Sequence, residues 1–363
     1  MKDFIIIGAG QSGLSMAYNL TQHNKDYLIL DANDAIGAPW LKRWDSLTLF
    51  TPTEYNHLPS MPFPFPKGFY PNKYQVADYL KQYVEKFAIP IEFNQKIISI
   101  KKVNGVFEIT SNTAQYQAKQ VIVATGPFHT PFTPACHTDI AEDIIQIHSE
   151  NYKNPSQLQT GDCLVVGAGD SGVQILSEIA DTGANVYFSG SDKIKAIPQT
   201  FLGKTLWWWF SKIGFLSVNR YSRIGKWLSK GVQPVIGTDV KSLLAKTNVT
   251  HMGRTLSADQ HSITFQKGTV SSIKNIIWAT GFKPNFFWID GISFDEMNYP
   301  SNYRGVSNDI EGLYFIGLPW LYTRGSATLG GVWKDAEYLM NYIECNQLQN
   351  PSQYTEVKVT QAA

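Results

Sequence analysis

Paired cysteines are missing from this chain of 363 residues. Its three cysteines, Cys136, Cys163 and Cys345, lie far apart, and no C-x-x-C occurs. That excludes a redox-active dithiol of the thioredoxin kind and a zinc-ribbon spacing. Sparse, unpaired cysteines without a signal peptide point to the reducing cytoplasm. A long apolar run is also missing: the N-terminal one, Phe4 to Ile7, is cut short by glycine, so neither a secretory h-region nor a membrane span is expected. Charge of either sign is not in excess. With 31 basic and 30 acidic residues the chain carries no signature of a nucleic-acid binder. No Ser-His-Asp spacing stands out, and no His, Cys or Asp cluster has metal-ligand spacing.

Two glycine fingerprints are present. Gly8-Ala9-Gly10-Gln11-Ser12-Gly13 and Gly167-Ala168-Gly169-Asp170-Ser171-Gly172 each follow a short apolar run and open an amphipathic helical stretch. One such motif is a weak signal, but a pair in strand–turn–helix context implies two bound dinucleotides. In each, the first glycine allows a tight turn, the second lets backbone approach a pyrophosphate, and the third lets the helix pack on the strand. The positive helix end then faces phosphate. Two dinucleotides on one enzyme imply one redox cofactor handing electrons to another.

The ends of the next strands separate the two sites. Strand Tyr27 to Leu30 ends at Asp31, followed by Ala32. An acid there accepts from both ribose hydroxyls and suits FAD or NAD. Strand Asn185 to Ser189 ends at Gly190, and Ser191, Lys193 and Lys195 come next. These suit a 2′-phosphate, hence NADPH, although no arginine occupies the turn and NADH stays open.

The runs Gln120 to Val123 and Ile276 to Trp278 both continue into Ala-Thr-Gly, at Thr125-Gly126 and Thr280-Gly281. Residues 33–72 are rich in proline and loop, a functional excursion. Helix is expected from Lys73 to Phe87 and from Ala327 to about Ile343, with a last strand at Leu313 to Gly317 and a fraying tail from Asn346. The final helix would return to the first domain. The expected fold is α/β: two Rossmann-like dinucleotide-binding domains, the NAD(P)H domain (156–282) inserted in a discontinuous FAD domain (1–155 and 283–363).

With Gly37-Ala38-Pro39-Trp40, Arg43-Trp44-Asp45-Ser46-Leu47, Val235-Ile236-Gly237-Thr238-Asp239 and Thr323-Arg324-Gly325-Ser326-Ala327, these motifs resemble the flavin-containing monooxygenase superfamily. More closely, the chain resembles bacterial single-chain FAD/NAD(P)-binding oxidoreductases associated with cation transport or efflux, over roughly residues 3–343. The resemblance implies FAD, NADPH and a C4a-hydroperoxyflavin that oxygenates a small nucleophilic or carbonyl substrate. The chain departs from the family pattern in places. Asp31 replaces glutamate, Ala38-Pro39 precedes Trp40 in place of a double glycine, and only His148-Ser149 and Tyr152 match the interdomain signature. Gly317-Leu318-Pro319-Trp320 lacks the acid expected on the ribityl chain, so backbone near Gly317 and the Arg324 to Ala327 run, Ser326 included, would serve instead.

Trp40, placed in the motif, is expected to touch the flavin. Arg43, Asp45 and Arg324 are the polar candidates for catalysis: a cation at the flavin N1–C2 edge stabilises the reduced ring, while a surface ion pair is the plainer use. His148 would contact NADPH or fix the interdomain hinge. Trp207-Trp208-Trp209-Phe210 cannot all face one side. They suit an interdomain or homodimer contact, a substrate channel or, flanked by Lys204 and Lys212, peripheral membrane contact. Beside the monooxygenase, two functions fit the same motifs: a reductase passing electrons to a quinone or protein, and a redox-sensing accessory of a transporter.

Overall fold

The computed structural model describes residues 1–231 and 234–349. The tail expected to fray lies outside the described residues from position 350 onward. Strand Lys2–Ile7 is central to the first sheet, parallel to Tyr27–Leu30 on one side and to Gln115–Val123 on the other. Its Phe4 and Ile6 face one core, Ile5 and Ile7 the other, as a parallel strand covered on both faces requires. Leu313–Phe315 extends this sheet beyond Gln115–Val123, and an antiparallel meander, Ile97–Val103, Val106–Ser111 and Gln115–Val123, flanks it. Helix Gln11–Gln22 buries Leu14, Met16, Ala17 and Leu20 against Ala336, Leu339, Met340 and Ile343 of the C-terminal helix, Trp333–Gln349. The last helix therefore returns to the first domain. It starts later than the sequence pattern suggests. Arg324–Ala327 is a separate 3₁₀ turn, and a Cβ at Gly330 would lie 1.7 Å from the Tyr55 carbonyl, so this stretch is a packed linker.

The second sheet is wholly parallel, in the order Val249–Gly253, Val186–Ser189, Asp162–Val166, Ile273–Trp278, Ile145–His148. Its edge strand, Ile145–His148, precedes the crossing expected near 155. The first crossing thus falls between positions 131 and 145. There, Thr130–Pro131 pairs antiparallel with Phe282–Lys283, so the outgoing and returning chains run as one short ribbon. The returning chain passes through this ribbon at Phe282–Lys283.

The proline-rich excursion locks the two domains together. Trp44 and Leu47 are buried in the second domain's core with Tyr152 and Val165. Helix Lys73–Phe87 begins as expected, with Asn72 and Gln75 forming a capping box. The Lys73 side chain, only 2% accessible, reaches the carbonyl of Arg43 at 2.6 Å and Asp45 at 2.7 Å. Asp45 also accepts from Asn154 Nδ2 at 2.7 Å, and its backbone N–H donates to Lys153 O. Removing the ammonium would take a buried cation from the Leu41 and Arg43 carbonyls and from the Asp45 carboxylate. Lys73→Ala should therefore lower stability by about 2–4 kcal/mol, seen as a melting-temperature loss of about 5 °C or more. An unchanged melting temperature would show that this buried ammonium does not hold the excursion.

Candidate functional site

Both fingerprints take one geometry. Gly8 and Gly167 adopt φ of +106° and +123°, and a Cβ on either would lie 2.8 Å and 2.1 Å from the carbonyls of Ala124 and Ala279. A Cβ at Gly13 or Gly172 would lie 1.9 Å from the carbonyl of Gly8 or Gly167, so each helix start sits directly on its own turn. A Cβ at Gly10 or Gly169 would meet nothing within 4 Å. These two positions leave room at the helix N-terminus, where a pyrophosphate belongs. Gly126 and Gly281, with φ of +71° and +83°, are likewise open on the side a Cβ would take.

In the first cradle Asp31 accepts from Ala9 N at 2.6 Å through Oδ2, and from Asn33 N and Nδ2 at 2.8 and 2.9 Å through Oδ1. A carboxylate offers about four lone-pair sites, so one on Oδ2 stays available for a ribose hydroxyl. Asp31, Gly10, Gly37, Pro39 and Trp40 line one pocket. Gly37 is required there, because its Cβ would lie 2.6 Å from that of Ala77 on helix Lys73–Phe87. Trp40 is half-buried and packs against both domain cores. Ala32 is exposed beside this pocket. These residues fit an FAD adenosine diphosphate.

In the second cradle a side chain at Gly190 would lie 2.8 Å from Ala168 Cβ. Sterics therefore exclude a carboxylate from the strand end that normally reads a free ribose. Lys193 is exposed in the next turn, and its N–H donates to Ser191 Oγ. The turn also carries Asp192, which sequence reasoning passed over. Lys267 neutralises it at 2.7 Å, holding its carboxyl below the usual range, with His251 at 3.7 Å. The motif's own acid, Asp170, accepts from Ile236 N at 3.1 Å. Burial raises its pKa, an effect that this bond and the charge of Arg324 oppose.

Arg324 belongs to the first domain, and its guanidinium, lowered in pKa by burial, is in turn favoured by Asp170. Gln11 of the first cradle donates its side-chain amide to Ala327 O at 3.4 Å. The turn Arg324–Ala327 thus stands between the two helix N-termini. Gly317 closes over Ser12, whose Oγ would lie 2.2 Å from a Cβ there. Ser326 is part of the framework of this turn. It is fully buried, and its Oγ accepts from Tyr322 N and Thr323 N at 3.0 Å each. Its hydroxyl shapes the turn.

The two Ala-Thr-Gly turns meet at the crossing. Thr125 Oγ1 lies 3.0 Å from His129 Nε2, and Thr280 donates to Phe132 O. His148 Nδ1 accepts from Glu150 N at 3.1 Å, so Nε2 carries the hydrogen it gives to Gly281 O at 3.0 Å. Burial lowers its pKa and keeps it neutral. His148 therefore fixes the hinge. Arg43 lies against the rings of Phe128 and Phe282, at 5.5 and 5.4 Å, with Glu150 favouring its charge. Asp45 instead faces Lys73 and Asn154, away from either cradle's glycines.

The sequence model of the pyridine nucleotide-disulphide oxidoreductases matches residues 5–201. The chain belongs to this family. A CzcO-like oxidoreductase of Geobacillus kaustophilus is 42% identical over 342 residues, covering 94% of this chain and 98% of that one. The CzcO oxidoreductase of Bacillus subtilis is 41% identical over the same length. Among solved structures, the flavin-containing monooxygenase of Stenotrophomonas maltophilia superposes with a TM-score of 0.80 at 25% identity, covering 95% of this chain and 98% of that one. The chain is an FAD-dependent oxidoreductase of the two-Rossmann-domain architecture, similar to bacterial flavin-containing monooxygenases.

Asp335 is the buried group that sequence reading missed. It lies 2% exposed in the first turn of the last helix, with the Ser326 hydroxyl on its carboxyl. Burial pushes its pKa up to about 6. The folded state keeps the proton to higher pH than the unfolded chain, so stability falls as pH rises from about 4 to about 6. Asp335→Asn removes that penalty. The variant should gain about 1–3 kcal/mol at pH 8 and nothing at pH 4, measured by denaturant unfolding. An equal effect at both values would contradict the burial of an ionisable carboxyl here.

Proposed function

We propose that the protein is a cytoplasmic, NADPH-dependent FAD monooxygenase acting on a small nucleophilic or carbonyl substrate. One observation carries the reading: the turn Arg324–Ala327 bonds to Gln11 at the first cradle's helix start, and the charge of its Arg324 acts on Asp170 at the second's, so the business ends of two dinucleotides would meet beside it. FAD, when bound, supplies the exchange of electrons between a nicotinamide and oxygen. The residues supply the rest. Gly10 and Asp31 hold the FAD end, with Trp40 beside them, and Gly169, Ser171, Ser191 and Lys193 hold NADPH. The excluded side chain at Gly190 favours the phosphorylated ribose.

Arg324 would offer a partly buried cation to the negative charge that FAD takes on when reduced. The charge of Asp170 favours the ionised form of Arg324. Arg43, packed on Phe128 and Phe282, walls the crossing. The likeness to the Stenotrophomonas monooxygenase supports oxygen transfer as the outcome.

Replacing Arg324 by methionine should slow anaerobic flavin bleaching by NADPH about 10- to 100-fold, with lysine restoring part of the rate. Equal rates in the three proteins would remove Arg324 from the reaction. Labelled dioxygen should appear in the product of a nucleophilic or ketone substrate. Peroxide release equal to NADPH consumption with every substrate class would instead favour electron transfer to another acceptor.

A further inference from the structure

Between Asp192 and Asp239 the chain contains no acidic residue and eight basic ones, in a protein whose formal net charge is +1. The same segment carries four of the ten tryptophans. Neither cradle uses most of it. Trp207 is accounted for: it is buried, stacks on Phe50 at 6.0 Å and donates to the Phe50 carbonyl at 3.0 Å, which docks helix Leu206–Lys212 onto the excursion. The opposite side of that helix is different. Trp208 stands between two ammonium groups, Lys204 and Lys212, at 5.9 and 5.8 Å from its ring. Trp209 packs edge-on against it and against Phe201, and Leu202 and Ile213 at either end are 75% and 68% exposed.

Helix Arg223–Lys230 repeats the arrangement. Gly225 seats it, since a Cβ there would lie 1.8 Å from the Asn219 carbonyl. Ile224 and Trp227, one turn apart, are 63% and 73% exposed, and Arg223, Lys226 and Lys230 surround them in solvent. Large apolar side chains that protrude from a segment with basic but no acidic residues face an unfavourable surface in water and a favourable one at a lipid headgroup layer. Tryptophan prefers that depth, and lysine extends its ammonium to the phosphates.

We infer that residues 201–230 dock the protein on an anionic phospholipid bilayer, with Ile224 and Trp227 entering the interface and Lys226 and Lys230 engaging the headgroups. The charge of the segment selects this occupant: residues 201–230 carry six basic and no acidic side chains, from which an uncharged surface would gain nothing. No helix among the described residues is long and apolar enough to cross a membrane, so the contact is peripheral. Docking is independent of oxygen chemistry and survives if the monooxygenase reading fails.

The test is co-sedimentation of the flavin-loaded protein with vesicles of phosphatidylglycerol or of phosphatidylcholine. Binding should favour phosphatidylglycerol by about tenfold or more and weaken in high salt. The double variants Ile224→Ser/Trp227→Ser and Lys226→Gln/Lys230→Gln should each weaken it by about tenfold, with flavin content unchanged. Equal partition to both lipids, no partition to either, or undiminished binding by the double variants would overturn the inference. So would a dimer that the Ile224/Trp227 variant alone dissolves, because a second copy would then be the occupant. Should the apolar variant lose flavin, the lysine variant and the lipid comparison still decide.

Discussion

The structure depends on the contact of a helix start with its own preceding turn. At Gly13 and again at Gly172, the space for a side chain is taken by a carbonyl oxygen two residues before the middle glycine. That contact draws the helix down onto the sheet and leaves the middle glycine facing open space. A cavity bounded by backbone N–H groups and the positive end of a helix is a site for phosphate and little else. Made twice in one chain, it fixes the class of chemistry before any side chain is considered.

Everything between the cradles serves to hold them in register. The crossing is a two-stranded ribbon, tied by neutral His148 to the Gly281 carbonyl. The excursion reaches across with Trp44 and Leu47 in the far core, and the second domain answers with Trp207 on Phe50. Arg220 N donates to Tyr322 O at 2.7 Å close to the central turn. Such ties suit a reaction in which two flat rings meet in one geometry, because a misplacement of about 1 Å costs about 100-fold in rate.

Much of this was legible in the sequence because the signals are local. The fingerprints, the alternating strands and helix Lys73–Phe87 declare themselves within a window of about 15 residues. What was not legible depends on partners far along the chain. Ile145–His148 reads as linker until its partner Ile273–Trp278 is placed beside it. Asp192 looks like an obstacle to a phosphate until Lys267 is found on it. Ser326 is buried in its turn and Asp45 is bonded to buried Lys73, structural roles that residue type alone does not reveal. Gly330 breaks the last helical pattern only because Tyr55 packs there.

The central claim is that one chain holds two separate dinucleotide sites. Gly10→Asp and Gly169→Asp place a carboxylate where each pyrophosphate would lie, in space the fold leaves open. Flavin content and NADPH affinity measured on both purified variants test it most directly. The account predicts that Gly10→Asp loses FAD and still binds NADPH, while Gly169→Asp keeps a full complement of FAD that NADPH no longer reduces. Loss of both ligands together from two folded variants, or of neither, would contradict it.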